Sequence, residues 1–356
     1  MREPYNTNVG IGSPPTFYTL IVDTGSANTW ISARGSHPYK PTETSKESNR
    51  NLSIKYGTGT FRGKLWYDRV TLGGLVVENQ GIGVADMAFG FEADVDGILG
   101  LGLVELTKES IIKDKNRGSD DGPESIPTIL DNLFAQGKIP QKTVAISFDP
   151  MSTTIEAYNY EGRFHGVLTF GKTDPQRYLG KITYTTIPQG RSSSKHWSLE
   201  QRIVYGSPTE GVEILKDGIG VIDTGSSVVH LQARSFEEYR KASNAELNII
   251  SGLLSLSNDN REKLKSLFFE IGGMHFEIPP EEQIWPQALN DVAGGPPDDC
   301  YMVYVELASD SGIDISLING FTWLQHFYTV LDAENRRIGI AKAASRNTWD
   351  ARATNN

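Results

Sequence analysis

Two aspartates stand in nearly the same local sequence. Leu20-Ile21-Val22-Asp23-Thr24-Gly25-Ser26-Ala27 returns as Gly220-Val221-Ile222-Asp223-Thr224-Gly225-Ser226-Ser227, and 200 positions separate the two carboxylates. In each copy an apolar, β-branched run reads as a buried strand that stops at an Asp-Thr-Gly turn. If two such strand ends met about an approximate twofold axis, the carboxylates would lie about 3 Å apart and could not both ionise. They would share one proton and hold a water between them. The ionised member could take a proton as that water attacks a carbonyl, while the protonated member donates to the carbonyl oxygen. Gly25 and Gly225 would let backbone N–H groups approach the carboxylates. Thr24 and Thr224 could hydrogen-bond across the junction, and Ser26 and Ser226 could donate to the outer carboxylate oxygens. A lone Asp-Thr-Gly is an ordinary turn. Two with matching flanks in one chain are not a product of chance at average composition.

Elements able to position such a pair are also repeated. Asp68 to Val77 turns on Gly73-Gly74, and Ser266 to Glu277 turns on Gly272-Gly273, a hairpin in each half. A third hairpin is expected over Tyr328 to Ala341. One helix is expected to start at Ser125-Ile126-Pro127-Thr128, with Ile129, Leu130, Leu133 and Phe134 on one stripe and Gly137 as the stop, and others over 235–241 and 260–265. The 36 glycines and 17 prolines, spread among many Val, Ile, Thr, Tyr and Phe, favour numerous short strands. The sequence therefore predicts a mainly β protein of two similar β lobes with a few short helices. The lobes are expected at 1–175, with the first aspartate, and 176–343, with the second, followed by a polar tail over 344–356.

Composition removes other classes. A net charge of −10 with no basic block repels nucleic acid. No apolar run approaches the ~20 residues of a membrane span, and the N-terminus lacks the apolar centre of a signal peptide. The single cysteine, Cys300, permits neither an intramolecular disulfide nor a thiolate zinc site. The six histidines have no zinc-helix spacing, the Gly-x-Gly pieces lack the third glycine of a dinucleotide loop, and no Gly-x-Ser-x-Gly elbow occurs. Neither metal nor cofactor is expected. Asn51-Leu52-Ser53 is an acceptable glycosylation triplet, a pointer to secretion.

Around the repeated turns the chain resembles the pepsin family of bilobal aspartic endopeptidases over nearly its whole length. Ser53 to Thr60, with Tyr56-Gly57-Thr58-Gly59 at its centre, is similar to that family's flap, the hairpin that closes over substrate. Trp30 matches the tryptophan that packs near the flap tyrosine, and Asp96 to Gly102 and Ile318 to Leu324 match the segments threaded beneath the aspartates. Ile318-Asn319-Gly320 in place of Ile-Leu-Gly, Gln283-Ile284-Trp285-Pro286 and the lack of a cysteine pair resemble the polyporopepsin-like basidiomycete branch.

The resemblance implies an acid protease fold with a cleft between the lobes and catalysis by Asp23 and Asp223. Substrate contacts are implied for Gly25, Tyr56, Gly57, Thr58, Ile98, Gly225 and Ser226, with Thr24, Ser26, Trp30 and Thr224 in support. Ile21, Phe89 and Val95 read as further pocket walls or as plain core. The family further implies extended polypeptide substrates, hydrophobic residues at the cleavage site, inhibition by statine-type compounds such as pepstatin, a monomer, and a secreted or vacuolar location. The chain resembles a mature form with a shortened first strand. Two rival readings are a catalytically silent relative that only binds polypeptide or glycan, and a glycosidase. The first conflicts with the presence of both aspartates, both glycines and Tyr56; the second needs carboxylates about 5 Å or more apart.

Overall fold

The computed structural model describes residues 5–32, 37–57, 59–91, 95–112, 125–148, 166–249, 251–290, 296, 298–308 and 314–344. Its contacts divide the chain into two compact units, one of Pro4–Val144 with Phe170–Lys172, the other of Met1–Glu3, Ala145–Thr169 and Thr173–Asn356.

In the unit that contains Asp23 the strands are β1 (Asn6–Ile11), β2 (Thr16–Asp23), β3 (Trp30–Ser32), β4 (Lys46–Lys55), β5 (Thr60–Leu72), β6 (Leu75–Phe89) and β7 (Gly97–Gly100). They form one sheet in the order β1-β2-β7-β3-β6-β5-β4. The apolar run of β2 needs cover on both faces: Tyr18, Leu20 and Val22 on one face are fully buried, and Ile21 on the other is buried as well. β2 lies antiparallel to β1 and parallel to β7, in the register Leu20↔Gly97 to Asp23↔Gly100. β3 then runs antiparallel to β7 and parallel to β6.

The unit that contains Asp223 repeats this wiring. The remaining strands are β8 (Thr143–Phe148), β9 (Gly166–Phe170), β10 (Tyr178–Thr186), β11 (Ser198–Tyr205), β12 (Val212–Ile222), β13 (Val229–Leu231), β14 (Glu246–Leu247), β15 (Leu254–Leu256), β16 (Leu267–Ile271), β17 (Met274–Ile278), β18 (Cys300–Tyr301), β19 (Tyr304–Glu306), β20 (Leu317–Asn319), β21 (Phe327–Asp332) and β22 (Arg337–Ala343). A seven-stranded sheet runs β17-β16-β11-β12-β20-β13-β19. β12 is antiparallel to β11 and parallel to β20, from Gly220↔Leu317 to Ile222↔Asn319, while β13 is antiparallel to β20 and parallel to β19. The repeat seen in sequence is thus a repeat of strand direction and register. A five-stranded sheet, β10-β22-β21-β8-β9, and a small one, β14-β15-β18, complete the strands. The fold is mainly β, as expected.

All three expected hairpins form, with the Gly73-Gly74 and Gly272-Gly273 turns in place. Helix α1 (Ile129–Ala135) is capped reciprocally by Thr128 and Asp131 and buries Ile129, Leu130 and Leu133. Helix α2 (Ala233–Ala242) extends the expected 235–241 at both ends. The helix expected at 260–265 differs: α3 covers only Asn258–Arg261, started by the Ser257 cap. It stops because Lys265 N–H is drawn to the Tyr205 hydroxyl at 3.0 Å and β16 must start at Leu267. A single turn, α4 (Phe321–Leu324), follows β20. Ala344, expected to open the polar tail, is buried instead, its N–H donating to Arg177 O at 3.0 Å; 345–356 lie outside the described residues.

The β21–β22 turn holds a carboxylate suited to acid. Asp332 is 3% exposed and accepts from Arg337 Nε at 2.7 Å, Asn335 Nδ2 at 2.9 Å and Asn335 N–H at 3.1 Å. Burial pushes its carboxyl up, but the bonds from Asn335 and Arg337 outweigh burial and hold it below the ordinary value. A folded-state value below the unfolded one adds stability above about pH 4 and loses it as pH falls through the folded value. Asp332→Asn should therefore lower Tm at pH 5–6 and change it little near pH 2, as measured by thermal unfolding across that range.

Candidate active site

The first Asp-Thr-Gly turn closes on its own carboxylate. Gly25 N–H donates to Asp23 Oδ1 at 2.8 Å and Ser26 N–H at 3.3 Å, and the Ser26 hydroxyl donates to Oδ2. Asp23 is 6% exposed and Thr24 fully buried. The end of β7 cradles the turn: Leu101 N–H donates to Asp23 O and Gly102 N–H to Ser26 O, both at 2.7 Å. Gly100 has to lack a side chain, because a Cβ there would lie 2.5 Å from the carbonyl carbon of Ala27.

The second turn reproduces the glycine and hydroxyl bonds, while its Ser226 N–H donates instead to the backbone oxygen of Asp223 at 3.3 Å. Gly225 N–H donates to Asp223 Oδ1 at 2.9 Å, and the Ser226 hydroxyl donates to Oδ2 at 2.7 Å. Beneath it Phe321 N–H donates to Ser226 O at 2.7 Å, and Asp223 N–H to Asn319 O at 3.2 Å. Gly320 takes the place of Gly100: a Cβ there would lie 2.2 Å from Val228 O. Thr224, like Thr24, is buried. Both carboxylates thus have one oxygen held by backbone and the other by a serine hydroxyl.

The flap candidate is the β4–β5 hairpin, whose end is closed by Tyr56 N–H donating to Gly59 O at 2.8 Å. Tyr56 is packed from below. Trp30 Nε1 donates to its hydroxyl at 2.7 Å, and Phe91 meets both rings edge-on, with centroids 5.3 Å from Tyr56 and 4.9 Å from Trp30. Burial, with the nearby Asp23 charge, pushes the Tyr56 phenol well above its ordinary value, against the opposing hydrogen bonds of Trp30 and Ser26. Tyr56 stays a neutral phenol at every working pH. The two flap glycines differ: a Cβ on Gly59 would lie 2.5 Å from Phe89 O, whereas one on exposed Gly57 meets nothing within 4 Å. Thr58 lies outside the described residues.

Of the expected walls, Ile21 and Ile98 are 8% and 3% exposed and belong to the core cluster of Trp30, Leu52, Phe61 and Leu65. Val95 packs partly buried against that cluster, while Phe89 is 65% exposed. Phe91, two residues on, supplies the contact to Tyr56; no periodicity singles out one aromatic in the loop that follows β6. His230, on β13, is a second residue that motifs did not mark: burial lowers its imidazole while the Asp223 charge raises it. Among the described residues no group of three or more His, Cys, Asp or Glu could hold a metal ion.

Comparison with known proteins agrees with this geometry. The family described as eukaryotic aspartyl protease matches residues 4–343. Polyporopepsin of Irpex lacteus is 43% identical over 337 residues, covering 95% of this chain and 93% of that protein. Cathepsin D of Gallus gallus is 26% identical, covering 96% of this chain and 81% of that protein. The crystal structure of the aspartic proteinase from Irpex lacteus superposes with a TM-score of 0.86 at 43% identity, covering 96% of this chain and 94% of that one. The chain belongs to the eukaryotic aspartyl protease family and is a pepsin-like aspartic endopeptidase that acts on polypeptides.

Proposed function

We propose that Asp23 and Asp223 are the water-activating pair of an acid endopeptidase. The observation that carries this reading is the pair of hydrogen bonds common to the two turns, in which glycine N–H and serine hydroxyl hold each carboxylate in the same way. With one proton between them, one aspartate takes a proton from the bound water as it attacks the peptide carbonyl, and the other protonates the carbonyl oxygen. The tetrahedral intermediate then collapses: the aspartate that took the water's proton gives it to the departing amine nitrogen as the C–N bond breaks, and the other takes a proton back from the hydroxyl that becomes the new carboxyl C=O, so the pair again holds one proton. Thr24 and Thr224, both buried, support the turn each belongs to. Gly25, Gly225 and Ser226 meet the peptide at the pair, Tyr56 and Gly57 cover it from the flap, and Ile98 with Trp30 backs the floor.

The lobes of this reading are 1–175 and 176–343. The peptide lies extended, with hydrophobic side chains on either side of the cut bond. The enzyme works as a monomer in an acidic secreted or vacuolar setting. Exposed Asn51 is placed to carry a glycan, and no helix of the described residues is long and apolar enough to cross a membrane. Statine-type inhibitors such as pepstatin compete for the pair.

Acid operation follows from the shared proton, which is lost as pH rises. Digestion of denatured haemoglobin or casein across pH 2–7 should peak below about pH 5 and stop with pepstatin. A flat profile to neutrality, or activity indifferent to pepstatin, overturns the reading. No digestion at any pH would favour the polypeptide-binding alternative.

A further inference from the structure

The common register of the two halves exposes one place where they part chemically. Aligned on the two aspartates, Val9 of β1, Leu20 of β2 and Leu99 of β7 correspond to Gln201 of β11, Gly220 of β12 and Asn319 of β20. The first set is wholly apolar, each residue 0% exposed. The second is as deeply buried, Gln201 at 4% and Asn319 at 0%, yet carries two carboxamides. All four of their amide atoms lack a hydrogen-bond partner. Four unpartnered polar atoms in one apolar core are costly and call for an explanation.

Geometry supplies one. Gly220 lies between Leu199 and Leu317, and its missing side chain opens a space over β12. Both carboxamides turn into it: a Cβ on Gly220 would lie 1.8 Å from Gln201 Nε2 and 2.9 Å from Asn319 Nδ2. A half-turn of either amide sets a carbonyl oxygen toward the other's NH2 group, directly or through one water. Asn319 is also the residue whose backbone carbonyl receives the Asp223 N–H, and Gly320 and Phe321 after it form the cradle of the turn.

We infer that Gln201 and Asn319 form a buried carboxamide strap across β12 that positions the backbone holding Asp223. They are positioning residues and touch no reacting atom. The strap ties the outer neighbour β11 to β20, so that the end of β20 is fixed by more than its short three-residue ladder. It rests on the reading of Asp223 as one of the pair.

The test uses near-isosteric apolar replacements in the full chain: Gln201→Met, Asn319→Leu and the double variant, each measured for Tm and for kcat and KM on one peptide. Each single change strands the other carboxamide and should lower Tm. The double variant strands neither and should regain at least half of the summed loss, yet keep a kcat about 3- to 10-fold below wild type with KM within twofold. Asn319→Asp adds a readout that core filling would not move. As a neutral acid it can pair as the amide does, and burial raises its pKa, so its kcat should match wild type at the acid end and fall away from it as pH rises. Strictly additive Tm losses would show that the carboxamides do not pair. A double variant with wild-type kcat at every pH would show that the pair fills the core and positions nothing. Activity retained by Asp223→Asn would remove the catalytic reading alone, since the Tm coupling does not depend on it.

Discussion

Asp23→Asn and Asp223→Asn will each lower kcat by about 10²–10⁴-fold or more while leaving Tm within a few degrees of wild type. The hydrogen bonds of the turns explain why the fold survives. An asparagine at 23 can keep its carbonyl oxygen on Gly25 N–H and turn its NH2 toward the Ser26 hydroxyl, which accepts as readily as it donates. The same exchange is open at 223 with Gly225 and Ser226. What the amide cannot do is take up and return a proton. On the proposed sharing of one proton by both carboxylates the losses should not add: the double variant should be hardly slower than either single one. Purified variants should be compared by thermal unfolding and by turnover of one peptide at the wild-type optimum. Substantial turnover in a folded single variant would exclude that aspartate from the chemistry. Multiplying losses in the double variant would mean that the two carboxylates act independently.

Much of this site is legible in sequence because its chemistry is local. Asp, Gly and Ser within one turn bond one another, so Asp23-Thr24-Gly25-Ser26 and Asp223-Thr224-Gly225-Ser226 carry most of their geometry in four consecutive residues. The hairpins are legible for the same reason, through Gly73-Gly74 and Gly272-Gly273. What escapes is contact between segments. Phe91 reaches Tyr56 and Trp30 only because β3, β5 and β6 share a sheet, and no local pattern marks it. Ile98 reads equally as wall or core until the register of β7 between β2 and β3 buries it. The helix expected at 260–265 fails similarly: its propensity is outweighed by the pairing of Leu267 with Tyr205 across two strands. Gln201 and Asn319, 118 positions apart, meet only through the glycine between them.

The flap offers the sharper test of how binding is turned into rate. A hairpin end such as Tyr56-Gly57, where Gly57 is exposed, can pair with an extended peptide as an added strand, and remote contacts of that kind raise kcat by fixing the reacting carbonyl. Gly57 is the informative position. Its Cβ direction is empty within the chain, so Gly57→Val should fold normally and change only what lies against the tip, whereas Gly59→Val would press on Phe89 O and distort the hairpin itself. Losing one or two hydrogen bonds to the peptide, at about 1 kcal/mol each, should lower kcat/KM about 5- to 30-fold for an octapeptide. A dipeptide, too short to reach the tip, should lose less than about twofold, with a tetrapeptide between them. Tyr56→Phe provides the complementary case. It leaves Trp30 Nε1, on a residue 2% exposed, without its acceptor, and it should depress kcat for every length because the floor of the flap is disturbed. Measuring kcat and KM for the three lengths in wild type and both variants separates the two roles. Equal losses at all lengths in Gly57→Val would show that the tip does not act through extended contacts, and a length-dependent loss in Tyr56→Phe would place that function on the tyrosine instead.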